Sequence, residues 1–444
     1  MKLHDALLAE WEKTVTRQGD AAAILDTRGE VLRTFDDIEA QARALESQID
    51  ASSPGQVNAI EIGNDPNWPS LLLACLRRQV VVLPLDDSLT AEQREAARRI
   101  CTARGAGDWG ERPPVLLKLT SGTTAAPRAI RFRSEQLLAD CNQICETMGI
   151  TDGDLNFGVI PLSHSYGFSN LVTPLLARGV PMVLSQDRMP RAVLDDLART
   201  NATVFPGMPV FYQAFSEMEK VPALPKLRLC ISAGAPLPVE VARKFREKFH
   251  QPIHSFYGSS ECGGICYDRD ALLLEQGFVG QPMRGTELQL LEPDAPATRV
   301  SVRSAAVGDG YFPEPDEERL GRGQFLPDDL LSASAAGFRI VGRVSDVINV
   351  AGKKVNPAEV EAELLRFPGV RAAVVFGRES TLRNEEVAAC IVAEERVRES
   401  ALLDYCRAHL SGWQVPKRIF FVDEIPVNER GKVNRRELAG KFGS

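Results

Sequence analysis

The stretch KLTSGTTAAPRAIRF, from Lys118 to Phe132, crowds hydroxyls around one glycine: Thr120 and Ser121 precede Gly122, and Thr123 and Thr124 follow it. A compact turn of this composition offers backbone N–H groups and hydroxyl donors to an anion. Arg128 adds a positive charge at its end. The GxxxxGK[ST] pattern of a Walker loop is absent, because no glycine precedes Arg128 and Ala129 follows it. Taken alone, the stretch also fits an ordinary Ser/Thr/Gly surface loop. Four further stretches join it. They are PLSHSYGF (Pro161 to Phe168), SFYGSSECGG (Ser255 to Gly264), FLPDDLL with GRVSDVINVAGKKVNPAEVE (Phe325 to Glu361), and IPVNERGKVNRREL ending at Leu438.

These segments need a scaffold, and apolar periodicity supplies one. DDIEAQARALESQI from Asp36 reads as a helix and VNAIEIG as a strand; WPSLLLACLRRQVVVLPL reads as an apolar helix running into a buried strand. The alternation recurs after the opening loop, where SEQLLADCNQICETMGI and VTPLLARG are helical and NFGVIPL and PMVLS are strands. It predicts βαβ units and parallel sheets. ATVFPGMP, LRLCISAG and PIHSFYG are short apolar strands ending in Gly or Pro turns, and ligands of open α/β sheets gather at such carboxyl ends. Beyond Gly277 short turn-punctuated strands predict a small β-rich subdomain. From Ser345 onward, about a hundred residues of mixed α and β suffice for a separate domain.

In their order along the chain, the five stretches resemble the adenylate-forming superfamily, which comprises acyl-CoA synthetases, adenylation domains of nonribosomal peptide synthetases and beetle luciferases. The resemblance covers nearly the whole chain and is nearest to the acyl- or aryl-CoA ligase branch. It implies an α/β fold with a large N-terminal domain, residues 1–344, of two α/β sheet layers plus a small β-rich subdomain. A small mobile α+β domain, residues 345–444, would carry the catalytic lysine. The implied chemistry is activation of a carboxylic acid by ATP to an acyl-adenylate, with pyrophosphate release and transfer to a thiol. An anion attacking a phosphate meets charge repulsion, so such a site needs cations and donors where negative charge develops.

The resemblance carries roles onto matching positions. Lys432 matches the lysine that bridges the acid and the α-phosphate. Glu261 matches the carboxylate that helps hold Mg2+, an oxygen-seeking cation. Ser260 stands where threonine is usual and serves the α-phosphate. Thr120, Ser121, Gly122, Thr123, Thr124 and Arg128 form the loop for the β- and γ-phosphates, with Ala125, Arg128 and Ala129 as departures from the usual pattern. Tyr257, beside Gly258, would stack on adenine, and the turn of Gly234, Ala235 and Pro236 would cover its other face. Asp329 would bind the ribose, with Asp328 as the alternative because Pro327 and Asp328 replace the usual Thr-Gly; Arg343 lies near ribose and phosphates. Ser345 is the expected pivot between an adenylating and a thioester-forming arrangement, and Gly352 would let the thiol arm approach in the second. His164 would border the acyl pocket, with Phe168, Phe205, Met208, Phe211, Ala233 and Gly263 as further lining. No aspartate in PLSHSYGFSN would hold a substrate ammonium, which favours a non-amino acid.

Bulk properties agree with a globular enzyme. The chain has 444 residues, is 44% hydrophobic, and carries a formal charge of −8, which argues against nucleic acid or an anionic membrane as main partner. Nine cysteines lie among apolar neighbours rather than in a disulfide framework, which fits the cytosol, and Cys262 with Cys266 reads as buried thiols. The N-terminal stripe Leu3, Leu7, Trp11 and Val15 predicts a docking helix, and no run is long enough to span a bilayer. The expected partners are a carboxylic acid, with an aryl or medium-chain fatty acid favoured, and CoA. Delivery to a carrier protein's phosphopantetheine is the first alternative. A nucleotide-binding chain without catalysis is the second, raised by Ala125 and Ala129 and opposed by Lys432 and Glu261.

Overall fold

The computed structural model describes residues 5–49, 54–87, 89–103, 106–110, 112–120, 128–350, 353–380, 384–394, 396–426, 433 and 435–442. The chain divides into two compact units. The larger comprises Met1–Gln289, Ser301–Pro327 and Ser334–Phe338, and the smaller comprises Leu290–Val300, Asp328–Ala333 and Arg339–Ser444.

In the larger unit, alternation of apolar strand and amphipathic helix produces two sheets. Parallel strands Asn156–Gly158, Val204–Gly207, Leu229–Ser232 and Ile253–Ser259 pair in that order, with Met182–Leu184 parallel on the other side of Asn156–Gly158. Ala22–Leu25 and Val31–Thr34 extend that edge, and antiparallel Gly263–Tyr267 and Phe278–Pro282 extend the other. The second sheet runs Gly310–Phe312, Ala129–Phe132, Leu116–Leu119, Val81–Pro84, Val57–Ile60, and its last three strands are parallel. Leu116–Leu119 and Ala129–Phe132 form an antiparallel pair whose connection is the hydroxyl-rich loop. The loop's two ends are therefore clamped by a ladder whatever its sequence, and the Thr120 N–H donates to the Arg128 carbonyl at 2.9 Å as the last rung.

The first helix, Ala6–Gln18, is capped by Asp5, whose carboxylate accepts the Leu8 N–H at 2.9 Å. It buries Leu7, Trp11 and Thr14 rather than the expected Leu7, Trp11 and Val15, and Leu3 lies outside the described residues. Strict spacing by four drifts off a 3.6-residue face, so Thr14 reaches the core while Val15 turns toward its edge. The smaller unit holds a sheet ordered Lys353–Val355, Ile348–Val350, Asn384–Ala393, Val370–Ser380, with Arg418–Phe421 parallel to Asn384–Ala393. Helices Pro357–Leu364 and Glu399–His409 pack Val360, Leu364, Leu402 and Cys406 into its core.

The amino ends of three parallel strands are pinned by one buried carboxylate. Asp154, just before Asn156–Gly158, accepts from Arg228 Nε at 2.7 Å, from Arg228 Nη2 at 2.6 Å and from Thr203 Oγ1 at 2.8 Å. Thr203 and Arg228 immediately precede the next two strands. Burial alone would raise the Asp154 carboxyl, but the Arg228 guanidinium and the Thr151 and Thr203 donors outweigh it and hold the group below its usual value. Such a carboxylate contributes stability above its unfolded titration, and the contribution is lost as pH falls through the lowered folded value. Arg228→Ala should lower unfolding stability by about 2 kcal/mol at neutral pH, discounted for the half-exposed arginine. Urea unfolding at several pH values should show the gap to the parent narrowing in acid.

Candidate active site

The register pairs Gly207 with Ser232 and Ser232 with Ser255, so Val204–Gly207 and Leu229–Ser232 end together while Ile253–Ser259 runs on past them to Ser259. Three of the residues singled out in the sequence follow from this. Met208 continues the first strand, Ala233 continues the second with its N–H on the Gly207 carbonyl at 3.3 Å, and Tyr257 sits near the end of the third. The turn Gly234, Ala235, Pro236 leaves the middle strand; Gly234 has φ of +88°, a conformation that suits glycine, and is exposed. Tyr257 itself is 8% exposed.

Between Tyr257 and Gly258 the antiparallel pairing shifts: Tyr257 faces Cys266 while Gly258 faces Gly264. A bulge of this kind bends the strand and re-aims the residues beyond it. The hairpin tip that follows carries Ser260 and Glu261. Ser165 Oγ donates to Ser260 Oγ at 2.9 Å, so the second and third motif stretches meet at a pair of hydroxyls 95 residues apart. Glu261 is held on both oxygens: Ser259 Oγ donates to Oε2, and Tyr311 Oη donates to Oε1 at 3.0 Å. Its backbone carbonyl accepts the Gly308 N–H at 2.9 Å. Burial, then the nearby Glu261 carboxylate, push the Tyr311 phenol far above its usual value, so it remains a donor at neutral pH. The Arg128 guanidinium lies 4.4 Å from the centre of the Tyr311 ring, a cation–π contact that brings the positive end of the loop toward Glu261.

Each carboxylate oxygen has a second lone pair beyond the bond it already accepts. One carboxylate among hydroxyls is an oxygen-only donor group, which fits Mg2+, a cation bound through one or two carboxylates plus substrate phosphates and water. Cys262 and Cys266 are buried, and burial raises both thiols well above the ordinary value, so they stay protonated at neutral pH.

The 161–168 stretch is tethered by Asn64, which accepts the Leu162 N–H at 2.9 Å and donates to the Ser185 carbonyl at 3.2 Å. His164 caps the short turn after it, its Nδ1 accepting the Tyr166 N–H at 3.2 Å. Tyr166 donates to the Gly207 carbonyl at 3.3 Å, and its ring centre is 5.9 Å from that of Phe256. Phe205 and Phe211 are buried in an aromatic cluster with Phe157, Tyr212 and Phe215. Phe168 is 1% exposed and packs edge-on against Trp68. Gly263 has φ of +67°, and a Cβ there would lie 1.9 Å from Asp140 Oδ1, so only glycine fits.

In the smaller unit, Arg343 Nε donates to Asp329 Oδ1 at 2.7 Å, while Asp328 lies 3.9 Å from Arg299. Arg435 ties three elements together: it donates to Asp346 at 2.8 Å, to Glu361 at 2.8 Å and to the Val375 carbonyl at 3.0 Å. Ser345 therefore adjoins a residue anchored to the chain just beyond Lys432. Ser121, Gly122, Thr123, Thr124, Ala125, Gly352 and Lys432 lie outside the described residues, as does the Ser345 side chain. Sequence reasoning passed over Ser165, Tyr166 and Tyr311. The last of these was marked only by a Gly-Asp-Gly turn before an aromatic pair.

Comparison with known proteins bears on this geometry. The AMP-binding enzyme family matches residues 108–312, and the AMP-binding enzyme C-terminal domain matches residues 359–432. Feruloyl-CoA synthase from an Amycolatopsis species is 29% identical over 343 residues, covering 74% of this chain and 70% of that protein. The 3,4-dihydroxybenzoate–[aryl-carrier protein] ligase of Bacillus anthracis is 28% identical over 327 residues, with 73% of each chain covered. The ATP-bound structure of MatB from Rhodopseudomonas palustris superposes with a TM-score of 0.84 over 98% of both chains at 22% identity, which speaks for the fold.

Tyr311→Phe keeps the ring beneath Arg128 and removes one donor from Glu261. It should cost about 1–2 kcal/mol in thermal or urea unfolding. It should also reduce the thermal stabilisation given by ATP with Mg2+.

Proposed function

Because the chain belongs to the AMP-binding, adenylate-forming superfamily and is an AMP-forming acid–thiol ligase, we propose that it activates an aryl or medium-chain fatty acid and passes the acyl group to the thiol of CoA. The observation that carries the reading is the Glu261 carboxylate, held by Tyr311 and Ser259 beside the Ser165–Ser260 hydroxyl pair, at the hairpin that continues one of the aligned parallel strands. Phosphate oxygens meeting that hairpin find hydroxyl donors, and Arg128 brings positive charge from the loop side.

In the proposed reaction a carboxylate oxygen of the acid attacks the α-phosphorus of ATP, and the bond to pyrophosphate breaks as the mixed anhydride forms. Thr120, Ser121, Gly122, Thr123, Thr124 and Arg128 hold the departing phosphates, Ser260 the α-phosphate, and Tyr257 with the Gly234–Pro236 turn holds adenine. Asp329 or Asp328 takes the ribose hydroxyls, with Arg343 close to them. Mg2+, held in part by Glu261, would neutralise phosphate charge. Lys432 steadies the acid and α-phosphate. In the second step a thiolate attacks the acyl carbon and AMP leaves. The domains are assigned as 1–344 and 345–444, with rotation about Ser345 separating the two steps and Gly352 admitting the thiol arm.

The proposed acyl pocket, lined by His164, Phe168, Phe205, Met208, Phe211, Ala233 and Gly263, would suit an aryl or alkyl acid. The second reading, delivery to a carrier-bound phosphopantetheine, is favoured by the likeness to an aryl-carrier protein ligase.

Pyrophosphate release with ATP and a panel of acids should be fastest with aryl or medium-chain acids; no release with any acid would leave a nucleotide-binding chain without catalysis. Mass measurement of products formed with CoA or with a holo carrier protein assigns the acceptor. Lys432→Ala should lower acyl-adenylate formation by about 100-fold or more, the scale for losing one charge-stabilising donor. Thioester formation from supplied acyl-adenylate should largely survive, and equal loss of both steps would remove the two-arrangement scheme.

A further inference from the structure

On the strand that enters the hydroxyl-rich stretch, a buried lysine is linked to a buried aspartate through a serine, a cluster that the proposed chemistry does not use. Lys118, on the strand leading into the loop, is 5% exposed; Asp140, on helix Ser134–Met148, is 3% exposed; and Ser169, in a π-helical turn Phe168–Val172, is 4% exposed. Ser169 Oγ donates to Asp140 Oδ2 at 2.5 Å, and Lys118 Nζ lies 3.5 Å from Ser169 Oγ. The ammonium also sits 4.7 Å from the Phe132 ring centre and 5.4 Å from that of Phe168. The second oxygen of Asp140, Oδ1, accepts the Gly264 N–H at 3.0 Å, and Gly263 closes on it without room for a Cβ. Burial draws the Lys118 amine below its ordinary value while the Asp140 charge acts the other way.

Two ionisable groups buried without a direct ion pair between them are poor stabilisers, since taking an ion out of water costs several kcal/mol and similar-sized apolar side chains often serve better. Its geometry has a different consequence. Lys118 and Phe132 flank the phosphate loop on both strands, Phe168 and Ser169 end the 161–168 stretch, and Gly264 lies three residues past Glu261. Two segments far apart in the chain therefore bond one carboxylate, and the loop strand joins them through Lys118 and the Ser169 hydroxyl.

We propose that Asp140, with Lys118 and Ser169, is a positioning cluster that sets the phosphate-loop strands, the 161–172 segment and the Glu261 hairpin in a single register for adenylation. The proposal rests on the ligase reading above. None of the three side chains touches substrate; they act through the backbone of the loop strands and through the Gly263–Gly264 hairpin.

The test uses the full chain with Lys118→Met/Asp140→Asn, which removes both charges at similar volume, and with Ser169→Ala, which removes only the bridging hydroxyl and is expected to fold. Amide hydrogen exchange should accelerate about 10-fold in peptides covering 116–132, 161–172 and 258–267, with protection of the Asn156–Gly158 and Val204–Gly207 strands unchanged. The kcat for pyrophosphate release should fall about 10- to 100-fold in the double variant and several-fold in Ser169→Ala, the KM for ATP changing less. Thioester formation from supplied acyl-adenylate should stay within about 3-fold of the parent. Exchange that rises uniformly, exchange that rises in one segment only, or unaltered adenylation would each overturn the proposal. If the parent itself releases no pyrophosphate with any acid, the ligase reading fails, and the exchange pattern alone decides the cluster.

Discussion

The ladder that aligns Val204–Gly207, Leu229–Ser232 and Ile253–Ser259 is the constraint on which the larger unit's site depends. The register ends the first two strands together and carries the third past them, from Ser255 to Ser259, toward the Glu261 hairpin. Met208 and the 233–236 turn leave adjacent strands at the same level for that reason, with the Ala233 N–H on the Gly207 carbonyl. At the amino ends of the first two of these strands and of Asn156–Gly158, Asp154, Thr203 and Arg228 form a hydrogen-bonded network that resists slippage. A one-residue slip would turn every side chain on a strand to the other face. The network thus keeps a distant set of turns aligned, although it touches none of them.

At the site end the electrostatic arrangement is graded. Glu261 is half-buried and held by two hydroxyls, which orient it without neutralising it. Arg128 acts through the face of the Tyr311 ring, so its charge lies near the carboxylate without forming a salt bridge to it. Lys118 and Asp140 form the opposite case, two ionisable groups removed from solvent, Lys118 meeting the Ser169 hydroxyl and Asp140 satisfied by that hydroxyl and the Gly264 N–H. The outer groups remain able to meet a charged ligand, and the inner ones are committed to holding the chain. The smaller unit repeats the inner pattern with Arg435, whose guanidinium joins Asp346, Glu361 and the Val375 carbonyl just downstream of Lys432.

Much of this was legible before folding. Period-two and period-3.6 apolar patterns located the parallel strands and the main helices, and the ordered motif stretches marked which turns matter. Small errors came from local geometry: a stripe spaced by four could not stay on a helical face, so Thr14 displaced Val15. The larger omissions were tertiary. Tyr311 joins Glu261 across 50 residues and Asp140 joins Gly264 across 124, and neither residue belongs to a motif stretch that would have pointed to it.

Residue types and their order, which the sequence alone determines, were enough to identify the superfamily, to expect two α/β sheets and a small α+β unit, and to single out Ser260 and Glu261 as candidates. Which side chains support those groups was decided only by tertiary structure. Burial sets whether a lysine such as Lys118 is a solvated surface charge or an interior group held by a serine and two aromatic rings, and burial depends on what packs over it from elsewhere in the chain. Hydrogen bonds between segments are likewise invisible in a string, because their partners are chosen by distance in space rather than by separation along the chain.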